Sequence, residues 1–97
     1  MKVHLEPRHR EIVAAILREY PYAFYAFGSR VHGTQKAFSD LDLCFFDPIP
    51  GAVVEHIAED FEASDLPFKV DLVDWRMCEE PFREILRKDK VCIQKGS

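Results

Sequence analysis

Short apolar stretches, set between helical stripes, constrain this chain more than any other feature. Tyr22 to Phe27, Asp40 to Phe46 and Phe68 to Trp75 are rich in aromatic and branched side chains. Each is too brief for a stable helix, so each reads as a strand. Pro7 to Tyr20 places Ile12, Val13, Ile16, Leu17 and Tyr20 at helical spacing. Pro7 suits the first turn of that helix and Pro21 ends it. Ala52 to Ala63 repeats the pattern with Val53, Val54, Ile57, Ala58 and Phe61, and Glu79 to Lys88 repeats it with Phe82, Ile85 and Leu86. Val91-Cys92-Ile93 reads as a short last strand. Arg30 to Ser39 is polar and reads as a turn or short helix followed by a loop. Strands alternating with helices in one small unit give the class α/β (α+β): one sheet with helices packed on it. Local pattern leaves the pairing directions open. At 97 residues the expectation is a single domain over 1–97.

Composition narrows the function classes. Net charge is −4 with a pI near 5.5, whereas nucleic-acid binding favours a basic surface. The expectation is no direct nucleic-acid partner, although Arg8/Arg10 and Arg87/Lys88/Lys90 are local basic spots. Eight Phe and 47% apolar residues are enough for a packed core, which argues against disorder. Cys44, Cys78 and Cys92 are odd in number and form no CxxC pair, so reduced thiols in a cytoplasmic protein are expected. The N-terminal segment has no apolar core of the signal-peptide kind. The apolar run Tyr22 to Phe27 is far below the ~20 residues of a membrane span.

Chemistry concentrates in three places. Asp40 and Asp42 are two apart in a strand, so their side chains share one face while Leu41 and Leu43 take the other. Two carboxylates side by side repel, and a hard divalent cation such as Mg²⁺ removes that repulsion. Asp71 lies among Phe68, Val70, Leu72 and Val73, where a strand carboxylate needs a partner. If its strand pairs beside the second, Asp71 joins Asp40 and Asp42 around metal. Asp74 has the opposite parity and is expected to cap the strand end. Gly28-Ser29 closes the first strand; a glycine admits close backbone approach to a ligand, and a helix start there would favour an anion. Arg30, His32 and Lys36 could add positive charge, although His32 reads foremost as a loop residue. Cys44 shares the parity of the aspartates and reads as a small packing residue.

Taken jointly, these residues resemble the nucleotidyltransferase superfamily that includes polymerase β. Its signature is Gly-Ser, ten intervening residues and Asp-x-Asp. Here Gly28-Ser29 is followed by the ten residues Arg30 to Ser39 and then by Asp40-Leu41-Asp42. The third carboxylate of the pattern falls on Asp71. The resemblance implies a nucleotidyltransferase fold with a small mixed sheet. Within it, Asp40, Asp42 and Asp71 are the catalytic metal ligands for two Mg²⁺ ions, and ATP is the substrate. Gly28 and Ser29 hold its phosphates, with Arg30 a further phosphate candidate.

The chain is similar in particular to minimal nucleotidyltransferases, which pair with small helical HEPN-type proteins. In such pairs the helical protein resembles a ribonuclease toxin, and the nucleotidyltransferase its antitoxin, transferring AMP onto a toxin tyrosine. Two other readings remain open: an antitoxin acting by contact alone, and a transferase for small molecules of the aminoglycoside type. Little of the sequence is left for binding an acceptor, so the expected partner is another protein. Trp75 and Phe82 are candidates for the surface that meets it, with core packing the alternative for Phe82.

Overall fold

The computed structural model describes residues 3–96. They form a four-stranded sheet in the order β3-β2-β1-β4. In chain order the elements are α1 (Pro7–Leu17), β1 (Phe24–Phe27), α2 (Ser29–His32) and β2 (Leu41–Phe45). There follow α3 (Gly51–Glu62), β3 (Val70–Asp74), a 3-10 turn (Trp75–Met77), α4 (Glu80–Asp89) and β4 (Val91–Gln94). β1 runs antiparallel to β2 and β4, and β2 runs parallel to β3, so the sheet is mixed. Among the described residues no helix is long and apolar enough to cross a membrane.

Strand parity divides the side chains between two cores. Phe24 and Ala26 of β1 and Leu41, Leu43 and Phe45 of β2 pack with Val13 and Leu17 of α1 and Ile57 and Phe61 of α3. On the opposite face Phe27 and Cys44 pack with Leu86 of α4, flanked by Tyr25, Phe46, Val73 and Trp75. Each apolar helix stripe thus meets the apolar face of a strand, and burial of this kind is the main favourable term in folding.

The first three strands are shorter than their sequence patterns suggest, and β4 extends one residue further, to Gln94. β1 begins at Phe24, not Tyr22, and β3 begins at Val70, which leaves Phe68 buried in the connecting loop. β3 ends at Asp74, whose carboxylate accepts the Arg76 backbone N–H at 2.9 Å and turns the chain into the 3-10 segment. Asp74 is therefore the capping residue its parity suggested. Trp75 lies between the Phe46 ring, 4.7 Å away, and the guanidinium groups of Arg83 and Arg87 at 4.9 and 5.1 Å. The Phe82 ring packs edge-on against Phe27 at 5.7 Å, as core packing expects, and is 37% exposed.

Candidate active site

The site begins where β1 gives way to α2. Gly28 has φ +83° and ψ −153°, a conformation open in practice only to glycine. A Cβ there would lie 2.5 Å from Oδ2 of Asp42. Gly28 therefore serves twice, making the turn and admitting a carboxylate against the backbone. Ser29 is the first residue of α2, where backbone N–H groups have no partners within the helix. Gly33, at φ +78°, ends α2 after one turn and releases the chain into the linker to β2.

Sheet register places the carboxylates. Asp42 lies opposite Phe27 on β1 and opposite Asp71 on β3. Phe27, Asp42 and Asp71 thus form one row across three strands, on the face covered by α4. Asp40 lies just before β2, two residues from Asp42, and Leu41 pairs there by donating its N–H to the Lys69 carbonyl at 2.9 Å. Asp42 is half-buried; Asp40 and Asp71 are exposed. Burial, then the charges of Asp71 and Asp40, push the Asp42 carboxyl above the usual carboxylate range. Among the described residues none of the three has a cation within ion-pair distance. Crowded, unpaired oxygen donors are the donor set that hard cations such as Mg²⁺ prefer, so the residues fit such an ion in chemical type. As they lie, no three His, Cys, Asp or Glu side chains among the described residues form a closed cage around one point.

The other expected residues take separate places. Arg30, the further phosphate candidate, is directed at backbone carbonyls. Its side chain is buried and donates to the carbonyls of His4, Ala37 and Ser39. Burial pushes its pKa down while Asp40 holds it up. His32 meets Asp89 of α4 at 2.8 Å. Lys36 is exposed, its backbone N–H bonded to Oγ of Ser39. Cys44 is fully buried, and its thiol is pushed up to about 11, chiefly by that burial, which leaves it a packing residue.

Two features carried no sequence signal. Phe38, two residues before Asp40, is 72% exposed. A groove of about 790 Å³ opens beside it, lined by Asp40, Phe61, Leu66, Phe68 and Lys69 among others. Of the three carboxylates only Asp40 lines it.

A glycine turn against one of three carboxylates, on adjoining strands of a small mixed sheet, is a recognisable arrangement. The family model for polymerase beta nucleotidyltransferases matches residues 11–96. The chain belongs to that nucleotidyltransferase family. It is 46% identical over 88 residues to a probable protein adenylyltransferase, MntA, of Haemophilus influenzae, covering 87% of this chain and 77% of that one. Among solved structures, a toxin–antitoxin crystal structure with AMP-PNP superposes with TM-score 0.69 at 25% identity, over 91% of this chain and 74% of that one. A tri-AMPylated Shewanella oneidensis HEPN toxin in complex with its MNT antitoxin gives TM-score 0.61 at 19% identity, over 94% and 73%. At that identity the likeness is one of fold.

Proposed function

We propose that this nucleotidyltransferase transfers AMP from ATP to a tyrosine hydroxyl of a small helical HEPN-type partner, acting as the antitoxin of a toxin–antitoxin pair. The observation that carries the reading is the placement of Asp42 between Gly28 and Asp71. It sets a glycine turn and a pair of carboxylates side by side. The 46% identity to a probable protein adenylyltransferase supports protein as the acceptor.

In this reading the Gly28-Ser29 turn holds the β- and γ-phosphates through backbone N–H groups and the Ser29 hydroxyl. Asp40, Asp42 and Asp71 would hold one or two Mg²⁺ ions, which supply charge neutralisation to the triphosphate and its leaving group. Asp71 is the carboxylate at the open edge of the row; it orients the acceptor hydroxyl and accepts its proton. The hydroxyl oxygen bonds to the α-phosphorus, the bond from that phosphorus to the α,β-bridging oxygen breaks, and pyrophosphate leaves. The protein's share is positioning and electrostatics, as in other phosphoryl transfers.

The test uses ATP labelled at the α-phosphate, Mg²⁺, the purified chain and a small helical HEPN-type protein as acceptor. Label on a partner tyrosine, lost in Asp42→Asn, is the expected result. Inhibition of the partner without label, and retained in Asp42→Asn, would overturn it in favour of an antitoxin acting by contact. Label on an added small alcohol such as an aminoglycoside, with none on protein, would overturn it in favour of a small-molecule transferase.

A further inference from the structure

Arg30 is the one buried charged side chain among the described residues, at 5% exposure. A buried charge is costly unless paired or fully hydrogen-bonded. Among the described residues no carboxylate lies within ion-pair distance of Arg30. Its compensation comes from backbone carbonyls. Nε and Nη2 donate to the Ser39 carbonyl at 3.0 and 2.8 Å, Nη1 to His4 at 3.0 Å, and Nη2 to Ala37 at 3.4 Å. The guanidinium also lies over the Phe68 ring, 4.2 Å from its centroid. The tie to His4 is doubled, since the His4 N–H donates to the Arg30 carbonyl at 2.7 Å.

These partners share a location relative to the acids. Arg30 directly follows Ser29. Ser39 directly precedes Asp40. Phe68 leads through Lys69 and Val70 to Asp71. One side chain thus joins the phosphate turn, the residue before the first carboxylate and the approach to the third. Asp40 lies outside β2, so the ladder does not fix it as it fixes Asp42 and Asp71. Four donated bonds also leave at most one of the five guanidinium N–H donors for any phosphate.

We propose that Arg30 is a positioning residue: through the Ser39 carbonyl and the Phe68 ring its buried fork holds the Asp40 segment in place beside the Gly28-Ser29 turn and the approach to Asp71, and metal binding by Asp40 depends on that hold. The planar fork is what the place demands. A lysine ammonium carries the same charge but cannot span three carbonyls in one plane while stacking on Phe68. The proposal rests on the metal-dependent reading of the site, though not on the identity of the acceptor.

The test is Mn²⁺ affinity of the isolated chain, read from the free-ion spin-resonance signal, for wild type, Arg30→Lys, Phe68→Leu and Leu43→Ala. Leu43→Ala is a control for lost stability, since it empties part of the core and leaves the Arg30 contacts in place. Arg30→Lys is expected to weaken Mn²⁺ binding at least tenfold, and Phe68→Leu two- to fivefold. Leu43→Ala should bind as wild type at a temperature where all are folded. Should Arg30→Lys fail to fold, Phe68→Leu decides the matter alone. Wild-type affinity in every folded variant overturns the proposal. So does a rise in the KM for ATP in Arg30→Lys with unchanged Mn²⁺ affinity, which marks a phosphate ligand. Binding that weakens as expected in a chain that transfers no AMP upholds the role of Arg30 and removes the proposed transfer. Normal transfer with unaltered metal binding in Arg30→Lys does the reverse.

Discussion

The two faces of β2 do different work. Leu41, Leu43 and Phe45 turn towards α1 and α3 and are at most 1% exposed. Asp42 and Cys44 turn the other way. There α4 covers Cys44 with Leu86, while the row of Asp42 and Asp71 is left open. A single strand therefore supplies the centre of the core and the centre of the site, separated by parity alone. The sealed face carries stability. The open face holds like charges together with no basic side chain within ion-pair distance among the described residues, which opposes folding.

The largest expected effect on folding lies on the sealed face. Leu43→Ala should cost about 2–5 kcal/mol in denaturant unfolding. Transfer per folded molecule should stay within about twofold of wild type, because its side chain packs in the core on the face of β2 opposite the acid row. A large loss of turnover in the folded variant would break the division between faces. Gly28→Ala comes next. Its positive φ and the 2.5 Å approach of the Asp42 carboxylate make any Cβ strained, at about 1–3 kcal/mol. Transfer should fall by more than tenfold, since relief requires either the turn or Asp42 to move. Equal activity in Gly28→Ala would show that the turn is only structural.

The smallest effect belongs to Asp74, one position beyond the parity of the site. Asp74→Ala removes the cap on Arg76 and should cost under about 1 kcal/mol with no change in transfer. Hydrogen bonds from Arg76 hold the Asp74 carboxyl below its usual range. Its contribution is present above the unfolded pKa and is lost as pH falls through the lower folded value. Comparison of the two proteins by thermal melts at pH 7 and in strong acid should show the difference disappear in acid.

Much of this was legible in sequence because parity and period are local. The helical stripe around Ile57, the inward face of Leu41 and Leu43, and the capping place of Asp74 all follow from spacing. What spacing cannot show is which distant segments meet. The parallel pairing of β2 with β3, which sets Asp71 against Asp42, depends on α3 crossing between them. Arg30 is the clearest case. An arginine after Gly-Ser suggests an anion ligand, yet its partners are carbonyls at positions 4, 37 and 39, gathered only by the fold. Nothing local marks Phe38 as exposed or Phe68 as buried, two aromatics on either side of one groove.

The division between faces is tested most directly by Asp42→Asn, with transfer and stability read on one preparation. Loss of a charged group at the centre of the site should lower AMP transfer by at least about a hundredfold. Without divalent ions the same variant should melt no lower than wild type, because burial and two neighbouring carboxylates already push the Asp42 carboxyl up. A carboxyl raised in the folded state stabilises most when protonated, and that gain is lost as pH rises through its folded pKa. Wild type should therefore approach the variant's melting temperature as pH falls. A variant that melts well below wild type at pH 7, or that transfers AMP at the wild-type rate, would contradict the assignment of this face to chemistry.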